Sequence, residues 1–283
     1  MSFTLLDGRK AAEALLESLK SDVQRLDPKL VVIQVGEDPA SSSYIKQKLK
    51  SCEKVQMRNE QKNLPPDTDL DTLMSLIDDL NADDDVSGFI VQLPLPDQLQ
   101  EHVPQIIRQI DPKKDIDGFC AYNLGKMLLS KEFEHLPPAT PSGVIAMLDH
   151  YKIDIQGKDA VVVGHSNTVG KPLSVMLLNR KATVTTCHID TKDLARHTRE
   201  ADILAVAVGK PGLITAEMVK EGAVVIDIGI TRTEDGLKGD VDFDTVKEKV
   251  SAISPVPGGV GPMTVASLIR NCVRAAERQQ EEA

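Results

Sequence analysis

Two kinds of apolar pattern alternate along the first half of the chain. Short continuous apolar runs predict buried β-strands, and apolar residues spaced three or four apart predict amphipathic helices. The alternation of the two indicates a parallel sheet covered by helices. The predicted order is a helix from residue 7 to about 23, strand 29–36, helix 38–55, a weaker strand 57–64, helix 67–81 and strand 86–96.

The second half repeats the alternation with more strongly apolar strands. Strands that are apolar throughout are typical of a sheet with helices on both faces, which predicts a doubly wound, nucleotide-type domain. Residues 137–141 contain three prolines and indicate a linker between the halves. The predicted elements are helix 142–152, strand 160–163, helix 171–180, strand 182–189, helix 191–199, strand 201–209, helix 215–220, strand 222–230 and a last helix from 263 to about 278.

The segment 160–172 joins an apolar strand, through a turn of small residues, to a predicted helix. Unpaired N–H groups and the positive end of the helix dipole meet at such a helix start, which favours a bound phosphate. The loop from Gly164 to Gly170 lacks the G-x-G-x-x-G spacing of the dinucleotide fingerprint. Two interpretations therefore stay open from this stretch alone, a nucleotide-phosphate site and an ordinary strand-to-helix turn.

Composition narrows the class of protein. The 283 residues include 43 acidic and 33 basic side chains, a formal net charge of −10, which argues against nucleic acid or a membrane surface as the main partner. No apolar stretch approaches the roughly 20 residues of a membrane-spanning helix, and the N-terminus lacks a signal-peptide pattern, so we expect a cytoplasmic protein. The four cysteines lie far apart without a CxxC spacing, which predicts reduced buried thiols and no metal site.

Lys48 stands out in the predicted helix 38–55. At about 100° per residue, the other lysines of this helix face away from its apolar stripe, whereas Lys48 lies within the stripe, one turn after Tyr44. A buried ammonium group is unfavourable unless it is paired or its pKa shifts. Either the side chain extends its amine out to solvent, or it is a cleft lysine able to polarise water or take a proton.

Three further features carry candidate chemistry. Gln92 lies near the carboxyl end of strand 86–96, where ligands of open parallel sheets bind; alternatively it only caps the strand. Asp115 and Asp117 could together bind a metal or hold an amino-heterocycle, or they belong to a solvated turn. Residues 255–264, with three glycines among three prolines, suit a surface packed against a flat ligand, or a turn that links domains.

Taken together, six motifs in order resemble the bifunctional methylenetetrahydrofolate dehydrogenase/cyclohydrolase family. The resemblance covers nearly the whole chain. The motifs are VGEDPASSSYIKQK (35–48), VQLPLP (91–96), KDIDG (114–118), TPSG (140–143), GHSNTVGKP (164–172) and PVPGGVGPMT (255–264).

The resemblance implies an α/β chain of two domains. The first is an N-terminal parallel-sheet catalytic domain that binds folate, at 1–138 plus 263–283, so that the C-terminal helix returns to it. The second is a Rossmann-like, doubly wound NAD(P)-binding domain at 139–262. The family pattern also implies a homodimer.

The implied activity is oxidation of 5,10-methylenetetrahydrofolate by NADP+, followed by hydrolysis of the methenyl product to 10-formyltetrahydrofolate. By resemblance, Lys48 helped by Gln92 activates water or moves the proton, and Asp117 holds the amino edge of the pterin-like ring. The implied catalytic residues are thus Lys48, Gln92 and Asp117. The implied substrate-binding residues are Ser41, Tyr44, Lys48, Gln92, Leu93, Asp117, Pro257 and Gly261. The implied cofactor-binding residues are Gly164, His165, Ser166, Val169, Gly170, Ile189, Asp190 and Ile230.

Departures from the family pattern concern the cofactor. His165 stands where many members carry Arg, and Ile189 and Asp190 stand where a Ser and a basic neighbour are common. An acidic residue at the end of that strand usually binds a ribose 2′-OH and repels a 2′-phosphate. NADP is the family default, and NAD stays open as an alternative. Ala139 replaces a common Cys in the linker, and we expect little effect.

Two other functions are compatible with parts of the pattern. One is a monofunctional NAD-dependent methylenetetrahydrofolate dehydrogenase, against which the complete set Tyr44, Lys48, Gln92 and Asp117 argues. The other is a non-catalytic nucleotide-binding protein, which would have no use for an inward lysine.

Overall fold

The computed structural model of the chain describes residues 3–282, with only the backbone at 39 and 40. Its residues form two compact units, each with its own parallel sheet. Thr140–Ser267 and the residues up to Glu13 form the first, named here the six-stranded unit after its main sheet. Ala14–Ala139 and the residues from Leu268 onward form the second, the three-stranded unit.

The elements alternate along the chain as the apolar pattern predicts. The strands are β1 (Thr4–Leu5), β2 (Lys29–Val35), β3 (Arg58–Leu64), β4 (Gly88–Val91), β5 (Asp159–Val163), β6 (Thr183–Cys187), β7 (Ile203–Val206), β8 (Val224–Asp227), β9 (Thr231–Thr233), β10 (Gly236–Lys238) and β11 (Ala252–Ile253). The α-helices are α1 (Gly8–Leu26), α2 (Pro39–Val55), α3 (Leu70–Ala82), α4 (Asp97–Gln100), α5 (Val103–Gln109), α6 (Ala121–Met127), α7 (Ala139–His150), α8 (Gly170–Leu178), α9 (Leu194–Thr198), α10 (Phe243–Val246) and α11 (Val260–Glu282), and short 3₁₀ turns lie at Lys131–Phe133 and Ala216–Met218.

The three-stranded unit has the strand order β3-β2-β4, with parallel neighbours. Strand β2 is central and buried from Leu30 onward, and α3 packs Leu73 and Ile77 into the same core. Helix α2 begins at Pro39 because the Asp38 carboxylate accepts a hydrogen bond from the Ser41 N–H at 2.6 Å, and proline suits the first turn of a helix. This start sets the rotation of α2, and with it the side of the helix on which Lys48 lies.

The C-terminal helix packs within the three-stranded unit from Leu268 onward, as predicted. Arg25 of α1 forms an ion pair with Glu277 of α11 at 3.1 Å, and Asn271 donates to the carbonyl oxygens of Ile116 and Pro137 at 2.9 and 2.8 Å. The prediction of a returning C-terminal helix is therefore confirmed.

The six-stranded unit has the strand order β1-β11-β8-β7-β5-β6, and each neighbouring pair is parallel. Its strands carry fully buried aliphatic side chains such as Val163, Leu204 and Val225, as the apolar runs predict. The order on either side of β5 and β7 is that of a doubly wound sheet. The predicted two-domain α/β fold is confirmed.

Several element boundaries differ from the sequence prediction. Strand β6 ends at Cys187 rather than at 189, because the backbone turns at His188, whose N–H donates to Thr191 Oγ1 at 2.8 Å. The predicted helix 215–220 is a single 3₁₀ turn, and the predicted linker 137–141 is already helical from Ala139. Ile189 and Asp190 therefore belong to a loop beyond the strand.

The composition of the two units also differs from the predicted domain ranges. The predicted first domain begins at residue 1, whereas the residues up to Glu13 group with the six-stranded unit because β1 pairs with β11. The change of unit near the linker, between Ala139 and Thr140, lies one residue from the predicted boundary at 138/139. Near the C-terminus it follows Ser267, five residues later than predicted.

Candidate active site

Lys48 lies on the inner side of α2 and contacts the end of strand β4. Its Nζ donates a hydrogen bond to Gln92 Oε1 at 2.9 Å, and the Gln92 Nε2 donates to the Leu93 carbonyl oxygen at 2.6 Å. Gln92 follows β4 directly, and its backbone N–H bonds to Ile33 of the neighbouring strand β2. The interpretation of Lys48 as a solvent-extended amine is wrong, because its ammonium group is directed to a side chain on the sheet.

A carboxyl group shares this site. Burial lowers the pKa of Lys48, and the negative charge of Asp117 opposes that decrease. Burial raises the pKa of Asp117 to about 6, an effect that Lys48 opposes and the nearby Asp115 carboxylate reinforces. The pKa values of the amine and the carboxyl are therefore displaced toward each other, as is common for groups that take part in proton transfer.

The loop that carries Asp117 is built around a second, buried carboxylate. Asp115 accepts hydrogen bonds from the backbone N–H groups of Gly118, Phe119 and Cys120 at 3.0, 3.2 and 2.8 Å, and from Asn123 Nδ2 at 3.1 Å. It is 1% exposed. The two aspartates of this loop thus differ, since Asp115 shapes the loop through its hydrogen bonds and the charge of Asp117 interacts with that of Lys48.

Gly118 and Asn271 complete the support of this loop. Gly118 has a φ of +74°, and a Cβ there would lie 2.5 Å from the Pro137 carbonyl carbon. Asn271 of α11 donates to Ile116 just before Asp117. The sequence analysis missed Asn271, because a lone asparagine 154 positions away carries no signal of this contact.

Ser41 and Tyr44 lie on α2 within two turns before Lys48. Ser41 is 4% exposed, and its Oγ has no hydrogen-bond partner within the described part of the chain. Tyr44 is 38% exposed, so its ring and hydroxyl are accessible to a ligand. Leu93, half-buried, precedes a cis peptide bond to Pro94 at the end of β4. Ser41 and Tyr44 thus precede Lys48 on one helix of the three-stranded unit, and Leu93 follows Gln92.

The loop between β5 and α8 has two glycines at which the backbone is closely packed. Gly164 has a φ of +126°, and a Cβ there would lie 2.4 Å from the Ala207 carbonyl oxygen. A Cβ at Gly170 would lie 2.0 Å from the Gly164 carbonyl oxygen. Ser166 Oγ accepts from the N–H groups of Val169 and Gly170 at 3.1 and 3.4 Å, which leaves its hydroxyl proton free to donate. Only glycine fits these positions, and the Ser166 hydroxyl remains as a donor suited to a phosphate.

His165 and the loop after β6 form a polar edge beside this turn. The rings of His165 and His188 have centroids 5.1 Å apart, inclined at 51°. The Asp190 N–H donates to His188 Nδ1 at 3.3 Å, and its carboxylate lies 3.8 Å from the same nitrogen. Ile189 is 92% exposed. An acid and two imidazoles therefore lie together where the sequence analysis expects the adenosine end of a dinucleotide.

Ile230, Pro257 and Gly261 lie in the same unit as this loop. A Cβ at Gly261 would lie 3.9 Å from Ile230 Cδ1, and Ile230 is 39% exposed. Pro257 follows a cis peptide bond from Val256. The structure thus brings two sets together, Lys48 with Gln92 and Asp117 in one unit, and the Gly164–Gly170 loop with the cofactor-type sheet in the other.

Several chemistries are not indicated. All four cysteines are free and buried, and burial raises the thiol pKa of Cys52 and Cys120 to about 12, so neither is activated as a nucleophile. Across residues 3–282, no cluster of three His, Cys, Asp or Glu side chains could hold a metal ion. The helices of this described range include none with the length and apolar character to cross a membrane.

Comparisons with known proteins show similarity to one family over both halves of the chain. Family models described as tetrahydrofolate dehydrogenase/cyclohydrolase match twice, the catalytic domain at residues 6–117 and the NAD(P)-binding domain at 138–280. The bifunctional protein FolD of Nautilia profundicola is 48% identical, with 99% of each chain covered.

Two solved structures extend these similarities to the fold. The FolD methylenetetrahydrofolate dehydrogenase/cyclohydrolase of Campylobacter jejuni is 45% identical with a TM-score of 0.92, covering 98% of this chain and 99% of the other. The Trypanosoma brucei enzyme, complexed with NADP cofactor and an inhibitor, is 33% identical with a TM-score of 0.93, and 100% of each chain is covered.

Proposed function

This chain belongs to the tetrahydrofolate dehydrogenase/cyclohydrolase family, and from that premise we propose how its residues divide the two reactions. The chain is an enzyme of folate one-carbon interconversion. It oxidises 5,10-methylenetetrahydrofolate to the 5,10-methenyl cation with NADP+ and hydrolyses that cation to 10-formyltetrahydrofolate. The observation that carries the proposal is the 2.9 Å contact between Lys48 Nζ and Gln92 Oε1, beside an Asp117 carboxyl of raised pKa.

Hydrolysis is the reaction for which this group is best suited. We propose that Lys48, whose pKa is lowered by burial, takes a proton from water as the oxygen bonds to the methenyl carbon. The bond from that carbon to N5 then breaks. One proton of the water ends on N5 and the other leaves to solvent. Gln92 holds the amine in place through its Oε1.

Asp117 is proposed to fix the orientation of the folate. As a carboxylate it accepts two N–H bonds from the aminopyrimidine edge of the pterin ring, a charge-assisted pairing. Tyr44 contributes an exposed ring face and hydroxyl one turn from Lys48, and the unpartnered Oγ of Ser41 offers a buried polar contact. Leu93, Pro257 and Gly261 stay predicted folate contacts.

The six-stranded unit fits the dinucleotide. NADP+, when bound, supplies the acceptor for the hydride of the methylene carbon. The N–H groups of Gly170 and Lys171 at the start of α8 are bonded to Ser166, whereas the Ser166 hydroxyl has a proton to donate to a phosphate. We propose that Val169 and Ile230 border the cofactor, and that His165 contacts the 2′-phosphate when protonated.

The matched test of this proposal uses two lysines of one helix. Lys48→Met should abolish methenyl hydrolysis, because no group remains to take the proton, while folate binding largely survives. Lys50→Met, on the exposed side of α2, should leave both activities unchanged. Cyclohydrolase activity is followed by loss of methenyltetrahydrofolate absorbance and folate binding by calorimetry. Unchanged hydrolysis in Lys48→Met would refute the mechanism.

We further propose a cytoplasmic homodimer that binds neither nucleic acid nor membrane. The net charge of −10 disfavours both kinds of surface, and the four free cysteines suit a reducing compartment. Strand β6 lies at the end of the sheet order, beside the 60% exposed Leu178, and such an edge suits pairing with a second copy. Light scattering should give twice the mass of one chain, and Leu178→Glu should weaken the dimer.

A further inference from the structure

Two buried carboxylates outside the Lys48 site hold the loops at the carboxyl end of the six-stranded sheet. Asp240 accepts hydrogen bonds from three consecutive backbone N–H groups, those of Val208, Gly209 and Lys210, at 2.6, 3.0 and 2.6 Å. It is fully buried, at 0% exposed. Three successive amides that converge in this way form an anion-binding nest, and here a side chain of the protein fills it.

Asp227, the last residue of β8, repeats the arrangement one loop further along. Its carboxylate accepts from the N–H groups of Gly229, Asp240 and Val241 at 3.2, 2.9 and 2.9 Å, and it is 3% exposed. Its own N–H donates to Ser254 Oγ at 2.8 Å. The Asp240 N–H thus links the two residues, which together bond to the segments that follow β7, β8 and β11.

Two glycines show how closely the backbone encloses these carboxylates. A Cβ at Gly229 would lie 2.1 Å from the Asp240 carboxyl carbon, and a Cβ at Gly239 would lie 1.9 Å from Asp227 Oδ2. Burial raises the pKa of Asp227 to about 7, opposed by its amide hydrogen bonds and reinforced by Asp240. Within the described residues, no ion pair joins either carboxylate to a cation. Burying two such groups is unfavourable, so a role beyond filling space is expected.

The segments that the pair holds lie where a ligand of this sheet binds. Ligands of open parallel sheets occupy the carboxyl ends of the strands. Ala207, which precedes the nest, lies against Gly164 of the phosphate-type loop. Ile230 directly follows Gly229, and its Cδ1 is the nearest atom to a Cβ built at Gly261. The two aspartates therefore hold both the loop after β7 and Ile230, the residue that borders the proposed cofactor site.

We propose that Asp227 and Asp240 are positioning residues for hydride transfer, which hold the 208–210 and 228–230 backbone at the distance that the nicotinamide end of the dinucleotide requires. This inference rests on the proposed cofactor site in the six-stranded unit. The carboxylates act through the backbone that they hold and touch no reacting atom. If these two backbone segments were displaced, the dinucleotide would still bind, but it would be misaligned with the hydride donor.

The test separates the two activities of one sample. Asp240→Asn keeps the volume but replaces one acceptor oxygen by an NH₂ group that faces backbone donors. We expect its kcat for NADP+-dependent oxidation to fall by about tenfold or more, as misplaced reactants do, with a larger deuterium isotope effect from the methylene-deuterated substrate. Hydrolysis of supplied methenyltetrahydrofolate, which needs no cofactor, should stay within about twofold of the wild type, since its proposed catalytic residues all lie in the three-stranded unit.

Two further variants make every outcome informative. Asp227→Asn should show the same selective loss, and Asp244→Asn, an exposed acid of the same segment, should show none. Wild-type oxidation and an unchanged isotope effect in both Asp240→Asn and Asp227→Asn would overturn the inference. A proportional loss of both activities would also overturn it, because that indicates a general structural role. Absence of NADP+-dependent oxidation in the wild type would instead refute the proposed function.

Discussion

The carboxyl group of Asp117 lies in surroundings that oppose its own charge. Its pKa rises from an ordinary 3.8 to about 6 although Lys48 is close. Ionised Asp117 therefore destabilises the folded chain, by an amount that is absent below about pH 4, grows as the pH rises and is complete above the folded pKa. The residue proposed to orient the substrate is in this sense held at a cost in stability.

Asp117→Asn should accordingly stabilise the fold. We expect a gain of about 2 kcal/mol at pH 8, since each unit of pKa shift corresponds to about 1.4 kcal/mol and Asp117 is partly exposed. The gain should be smaller at pH 5, by about 1 kcal/mol. Urea unfolding at the two pH values measures it, and an equal or larger gain at pH 5 contradicts the assignment of the shift.

Asp115→Asn, two residues away, should instead lower the free energy of unfolding. Asp115 accepts four hydrogen bonds while buried, so an amide there leaves donors facing donors. We expect a loss of about 2–3 kcal/mol in the same urea experiment. Stabilisation by both substitutions would show that burial alone, and not the bonding pattern, governs this loop.

Asp190 is the residue on which cofactor choice is expected to depend. Its carboxylate lies beside His188 at the end of the loop after β6, where a negative charge repels a 2′-phosphate. Initial rates of methylenetetrahydrofolate oxidation with NAD+ and NADP+ should shift toward NADP+ in Asp190→Ser, by about tenfold in kcat/KM. An unchanged ratio of the kcat/KM values for NAD+ and NADP+ would show that Asp190 does not determine cofactor choice.

Which individual side chains meet could be predicted only in part. The inward rotation of Lys48 follows from helix geometry, but its contact with Gln92, 44 positions away, depends on the sheet register and was expected only from the family motifs. Asp115, Asn271, Asp227 and Asp240 were missed as supports, because a buried carboxylate or amide that bonds to loop backbone leaves no periodic pattern in the sequence.

At the scale of elements, the turn between β5 and α8 depends on its two glycines. Gly170→Ala would put a Cβ 2.0 Å from the Gly164 carbonyl oxygen, so the turn must open. We expect a loss of about 2–3 kcal/mol in unfolding free energy and a several-fold higher KM for NADP+, with hydrolysis retained. Thermal melts and steady-state kinetics measure both.

Gly125→Ala is the matched control in α6. A Cβ at Gly125 meets nothing within 4 Å, and its φ is not positive. Helix propensity alone predicts a gain of about 0.5–1 kcal/mol there. Equal behaviour of the two alanine variants would refute the steric account of the Gly164–Gly170 turn.

Apolar strands and long helices could be predicted, whereas several short helices and a short hairpin could not. Strand β3, whose sequence is polar, could be predicted only as a weaker strand at 57–64. The helices α4, α5 and α6 and the hairpin of β9 and β10 were missed. These missed elements are short and contain too few apolar positions to define a run or a period, and tertiary contacts fix them instead.

At the scale of the molecule, the residues proposed for hydrolysis lie in the three-stranded unit, and the loop proposed to bind NADP+ lies in the six-stranded unit. NADP+ at about 100 times its Kd should raise the unfolding free energy of the unit that binds it by about 2.7 kcal/mol. Lys48→Met should show the same thermal shift as the wild type, because Lys48 lies in the three-stranded unit. Differential scanning calorimetry with and without NADP+ tests this, and a shift abolished by Lys48→Met would contradict the division.

The pairing of β1 with β11 has a consequence for taking the chain apart. Each unit is assembled from two separate stretches of sequence, and α1 and α11 both run across a change of unit. A fragment cut at the linker and spanning 140–267 would lack β1, which leaves β11 as a bare sheet edge open to aggregation. Supplying residues 1–13 as a separate peptide, or joining them to the fragment by circular permutation, should restore solubility. Each unit therefore needs two separate stretches of the chain, and a single cut cannot isolate either activity.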